Sequence, residues 1–107
     1  MNTKNFYIFV ADWCPHCRAA KSAIFELVDK YHSNGNIILV EDSSEEYKEL
    51  SQKLSIDGLP AFVVLDEVEK VITTYEFNDR SFEALLGFYA KNTGTAVLEE
   101  DQPIYNK

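Results

Sequence analysis

The chain has 107 residues, 46% of them hydrophobic, and a formal net charge of −8. That is enough apolar material for one folded domain with its own core, and it excludes global disorder. The acidity argues against gripping a nucleic-acid backbone or an anionic membrane, both of which need a basic surface, and no stretch approaches the ~20 apolar residues of a membrane span.

Met1 to Asn5 is polar, and the apolar run after it, Phe6 to Val10, is too short for the hydrophobic part of a secretion signal. It also leads straight into a cysteine motif that cleavage would destroy. The expectation is a cytoplasmic protein, in which a disulfide is usually transient and catalytic. Phe6 to Val10 itself reads as a strand covered on both faces, because it is apolar without alternation.

Ala11-Asp12-Trp13-Cys14-Pro15-His16-Cys17 follows, holding both cysteines, the only tryptophan and one of the two histidines. Two thiols separated by two residues can close into a small disulfide and reopen, which makes the pair a two-electron carrier. Apolar residues then recur at helical spacing: Cys17, Ala20, Ile24, Leu27, Val28 and Tyr31. This places Cys14 at the start of a helix, with Pro15 in the first turn, where its missing N–H would have had no partner. Free backbone N–H groups and the positive end of the helix dipole favour a thiolate there. Cys14 is therefore expected as the nucleophile. Cys17, about one turn further in on the core side, is expected as the more buried resolving thiol. Two competing readings stand beside this one, half of a zinc site and a pair of small core residues. Zinc lacks a second pair of ligands here, so no metal is expected.

The first helix is expected from Cys14 to His32, stopped by Ser33-Asn34-Gly35. Ile37 to Val40 is a second buried strand, which makes a right-handed βαβ unit with parallel strands. Ser43 or Ser44 caps a second helix that carries Glu45 and Glu46 in its first turn and Tyr47, Leu50 and Leu54 on its apolar side. After the Asp57-Gly58 turn and Leu59-Pro60, Ala61 to Leu65 is a third strand. Val71 to Phe77 is a fourth, antiparallel to it across a short hairpin. Asp79 or Ser81 caps a third helix with Phe82, Leu85, Leu86 and Tyr89 on its apolar face. The expected domain spans residues 1–92, and residues 93–107 read as an acidic tail.

The order β-α-β-α-β-β-α, with Trp13-Cys14-Pro15-His16-Cys17 and Gly58-Leu59-Pro60-Ala61-Phe62, resembles the thioredoxin superfamily over roughly residues 4–91. The resemblance implies an α/β fold with a single four-stranded mixed sheet flanked by three helices. It implies that Pro60 follows a cis peptide bond beside the thiols and that the backbone of Leu59 pairs with an extended substrate. It also implies that Trp13 forms part of the surface near the exposed sulfur.

Three departures bear on the type of member. Pro15-His16 stands where thioredoxins usually carry Gly-Pro, and is similar to the dipeptide of bacterial disulfide oxidases of the DsbA type. A cation or donor at His16 would stabilise the thiolate and so make the disulfide more oxidising. Ile8 stands where thioredoxins carry a buried Asp that helps deprotonate the resolving thiol. The glycines of a glutaredoxin's glutathione site are absent before Asp79. The reading is a compact thiol–disulfide oxidoreductase working by a dithiol mechanism, with Cys14 and Cys17 catalytic, Pro15 and His16 tuning them, and Trp13, Leu59 and Pro60 contacting substrate. Its expected partners are protein disulfides or dithiols, with a reductase or glutathione to recycle it. A monomer is expected, with no cofactor beyond the Cys14–Cys17 pair. Glutaredoxin-like or disulfide-oxidase activity, or a non-catalytic binding subunit of the same fold, are the alternatives.

Overall fold

The computed structural model describes residues 4–105; the outermost residues of the expected N-terminal stretch and C-terminal tail fall outside that range. Four strands, β1 (Asn5–Val10), β2 (Ile37–Glu41), β3 (Ala61–Leu65) and β4 (Val71–Thr74), form one sheet in the order β2-β1-β3-β4. β1 and β2 run parallel, β3 runs antiparallel to β1, and β4 antiparallel to β3. The helices are α1 (Pro15–Tyr31), α2 (Glu45–Lys53), α3 (Phe82–Thr93) and a short terminal α4 (Gln102–Tyr105).

Alternation along the strands divides the core between the two faces of the sheet. Phe6 and Ile8 of β1 and Phe62 and Val64 of β3 pack with Ile24, Leu27 and Tyr31 of α1 and Leu85, Leu86 and Tyr89 of α3. The intervening residues, Tyr7, Phe9, Val63 and Leu65, pack with Val40 and with Leu50 of α2 on the opposite face. That is why Phe6 to Val10 has no polar alternation: both of its faces are roofed.

Local chemistry sets the helix ends. The Ser44 side chain accepts from the Tyr47 backbone N–H and the Ser81 side chain from Ala84, so in each expected pair the second residue is the cap. α3 ends at Gly94, whose φ of 71° is a left-handed geometry that a Cβ would strain.

Two segments differ from expectation. β4 ends at Thr74 rather than continuing to Phe77. Tyr75 still donates its N–H to the Phe62 carbonyl, but its ring turns onto Phe62 and Phe88. Phe77 is then left exposed. The segment after Thr93, read as a tail, folds back through a 3-10 turn (Glu99–Asp101) into α4. Asp101 is buried there and accepts from the Tyr31 hydroxyl at 2.8 Å and the Lys30 ammonium at 2.9 Å. The Leu98 N–H in turn donates to the Tyr31 oxygen. Polarity in this stretch marked an anchored carboxylate, which composition alone cannot tell from a solvated one.

Candidate active site

β1 ends at Val10, and a turn closed by the Cys14 N–H donating to the Ala11 carbonyl delivers Cys14 to the N-cap of α1. Cys14 has an extended backbone there, with Pro15 following as the first helical residue. No side chain caps this end, so its backbone N–H groups are free to face the sulfur. Both cysteines are free thiols.

Coverage does not separate them as expected. Cys14 is 6% exposed and Cys17 5%, because Ala11, Val10 and Leu59 close over both. What separates them is the balance of burial against hydrogen bonding at each sulfur. The Cys14 thiol is held below the ordinary range, chiefly by the Cys17 backbone N–H; burial works against this, and the Cys17 thiol, the His16 backbone N–H and the Arg18 charge add to it. The Cys17 thiol is pushed up, first by burial; the Ala11 backbone and the charge of Arg80 oppose the rise, while the nearby Cys14 reinforces it. One thiol of the pair is poised to ionise and the other to keep its proton.

The loop before β3 completes the site. The Leu59–Pro60 peptide is cis, Pro60 is buried, and the Cys14 thiol donates to the Leu59 carbonyl at 3.4 Å. A groove of about 390 Å³ runs past Leu59, Pro60, Tyr75 and Arg80. Trp13, 66% exposed, borders the pair, and its indole N–H donates to the Asp42 carboxylate at 2.6 Å. The structure thus brings Trp13, Cys14, Cys17, Leu59 and Pro60 together. His16 and Pro15 are exposed. His16 reaches the Cys14 sulfur through its backbone N–H, while the residue lines a separate cleft with Asn78, Arg80 and Ser81. Asp42, the Leu59 carbonyl and Arg80 were not legible as partners, since each arrives from a strand or loop far along the chain. Only the parallel β1–β2 pairing, which brings the end of β2 beside the motif, gave a signal for Asp42.

Among the described residues, no three His, Cys, Asp or Glu side chains cluster so as to hold a metal ion, and no helix is long and apolar enough to cross a membrane.

Comparison with known proteins agrees with this geometry. The thioredoxin family model matches residues 2–91, and the chain belongs to that family. A curated relative, the thiol:disulfide interchange protein TxlA homolog of Synechocystis sp., is 30% identical over 64 residues, which are 60% of this chain and 36% of the relative. The match thus spans little more than a third of that protein's length. The first two thioredoxin domains of Naumovozyma dairenensis Eps1p superpose with a TM-score of 0.68 at 23% identity, covering 88% of this chain and 36% of that one. The germline-specific thioredoxin Deadhead of Drosophila melanogaster gives 0.63 at 22% identity, covering 84% and 81%. These two likenesses establish the fold. Family membership and the retained Cys-x-x-Cys pair together support thiol–disulfide oxidoreductase chemistry in general.

Proposed function

We propose that this protein exchanges thiols and disulfides with protein substrates by a dithiol mechanism, with Cys14 as nucleophile and Cys17 as resolving thiol. The observation that carries this reading is the placement of the pair: Cys14 sits at the uncapped N-terminus of α1, within hydrogen-bond reach of the Leu59 carbonyl beside Pro60, with Cys17 one turn further in. The opposed pull on the two sulfurs, Cys14 held low and Cys17 pushed up, supports it.

In the reducing direction, the Cys14 thiolate attacks one sulfur of a substrate disulfide. A Cys14–substrate disulfide forms and the other substrate sulfur leaves as a thiolate, which takes up a proton. Cys17 then loses its proton and attacks the Cys14 sulfur. The Cys14–Cys17 bond forms, the bond to substrate breaks, and the second substrate sulfur leaves. Two electrons have moved from the pair to the substrate. The N–H groups of α1 that favour the Cys14 thiolate as attacking group also favour it as leaving group when a reductase or glutathione recharges the pair. The groove beside Leu59 and Pro60 suits an extended chain, with Leu59 supplying backbone hydrogen bonds; the exposed Trp13 ring, next to Cys14 in the chain, offers substrate a flat apolar surface. The pair itself is the redox carrier, so the reading needs no metal or other cofactor, and we place the protein, as a monomer, in the cytoplasm.

Trapping tests this. Cys17→Ser should accumulate mixed disulfides that dithiothreitol releases, and Cys14→Ser should form none. Turnover of Cys17→Ser at the wild-type rate would overturn the dithiol mechanism. Full biological rescue by the double Cys→Ser variant would make the protein a binding subunit.

A further inference from the structure

The resolving step needs a proton acceptor, and Ile8, at the position where thioredoxins carry a buried Asp, is fully buried among apolar side chains. Cys17 is not sealed on every side. It lines a cleft of about 320 Å³ on the α1 side of the sheet, walled by Val10, Ile24, Phe25 and Leu39. This is large enough for a short chain of waters.

Four charged residues line that cleft: Asp12, Arg18, Lys21 and Glu41. Arg18 donates to the Asp12 carbonyl at 3.1 Å, and the Lys21 ammonium sits over the Phe25 ring. Cys14 and the charge of Arg80 also act on the Cys17 sulfur, and His16 lines a separate cleft with Arg80. Glu41 ends β2 in register with Val10. Strand alternation puts it on the same face as Ile37 and Leu39, which pack toward α1, whereas Val40 packs toward α2. Among the described residues, no ion pair or side-chain hydrogen bond engages its carboxylate, whereas that of neighbouring Asp42 is held by Trp13.

Resting on the dithiol reading, we infer that Glu41 accepts the Cys17 proton through water in this cleft, taking the place of a buried carboxylate. In the resolving step the Cys17 S–H proton passes by water to the Glu41 carboxylate. The Cys17 sulfur bonds to the Cys14 sulfur, and the substrate leaves as a thiolate that is reprotonated from solvent or from Glu41.

The test exploits a difference in sign. If Glu41 acted only by its field, Glu41→Gln would remove a negative charge near Cys17, ease its ionisation and speed the step. A proton acceptor predicts the reverse. Stopped-flow reaction with an aryl disulfide such as dithiobis(nitrobenzoate) resolves both steps: the first thionitrobenzoate released reports attack by Cys14, the second attack by Cys17. Expected for Glu41→Gln is an unchanged first release and a second release slowed at least about fivefold at neutral pH, below the full range for general bases because the acceptor works through solvent. The variant and wild type should converge once the pH is well above the ordinary thiol value of 9.0, where Cys17 ionises unaided. Glu41→Asp should recover part of the rate, and Asp12→Asn should leave it unchanged. A Glu41→Gln second release that is unchanged, faster, or slowed equally at every pH overturns the proposal, as does slowing by Asp12→Asn alone. A wild type that never gives the second release refutes the dithiol reading itself, a separate outcome.

Discussion

The Cys14 thiol donates a hydrogen bond to the Leu59 carbonyl across 3.4 Å, joining the start of α1 to the loop before β3, 45 residues away. Only the protonated sulfur can make this bond. Ionisation of Cys14 therefore does two things together: it creates the thiolate that the proposed mechanism uses and frees a backbone acceptor at the edge of the groove.

The first prediction concerns pH. Cys14 lies below and Cys17 above the ordinary thiol value of 9.0. Thiolate is the reacting form, so the alkylation rate of reduced protein by iodoacetamide should rise with pH in two separate steps. Peptide mapping should assign the lower step to Cys14 and the upper to Cys17. Cys17→Ser should retain the lower step and lose the upper one, because the backbone N–H of residue 17 that chiefly holds Cys14 down remains.

A second prediction concerns Trp13. Its indole is 66% exposed, and its N–H is held by Asp42. Asp42→Ala should cost no more than about 1–2 kcal/mol of stability, the scale of a charge-assisted hydrogen bond at a wet site. It should release the ring, and a lower fluorescence anisotropy of Trp13 measures that. On the proposed substrate-contact role of Trp13, exchange with protein disulfides should slow more than exchange with small aryl disulfides.

Tyr31 yields a third. Burial, reinforced by Asp101, pushes its phenol up to about 12, against 10.0 for a free tyrosine. The unfolded chain therefore ionises first. This contribution to stability is complete below pH 10 and disappears as the pH rises through about 12. Urea midpoints should fall across that window, and Tyr31→Phe should flatten the fall.

The same anchor supports a fourth. Asp101→Ala removes the acceptor of both the Tyr31 hydroxyl and the Lys30 ammonium. Leaving the buried hydroxyl without that partner should cost about 1–3 kcal/mol. Amide exchange should quicken in residues 95–101, while exchange kinetics at Cys14 stay unchanged. Equal exchange in the two proteins would contradict the anchoring role.

The sheet, the three principal helices and the cysteine pair were legible because each rests on a local pattern: the unbroken apolar run at Phe6 to Val10, the 3.6-residue spacing along α1, the serine caps of α2 and α3. What was not legible depends on chain segments that meet only after folding. Polarity alone could not show that Asp101 is buried against Tyr31, that Asp42 fixes Trp13, or that Glu41 shares a cleft with Cys17. The end of β4 was misplaced for a related reason. Tyr75 and Phe77 have strand-forming side chains, but the ladder stops at Thr74, and Tyr75 turns its ring onto Phe62 and Phe88.

The central claim is that Cys14 and Cys17 form a working two-electron couple. Its most direct test is a redox titration in dithiothreitol and glutathione buffers, followed by the fluorescence of Trp13, the only tryptophan and the neighbour of Cys14. One reversible two-electron transition is expected, with its midpoint between about −270 mV, as in thioredoxin, and about −120 mV, as in a strong disulfide oxidant. A midpoint at the upper end would show that Pro15-His16 sets the poise, and one at the lower end that it does not. A signal that no potential changes, with two free thiols counted throughout, would contradict the account.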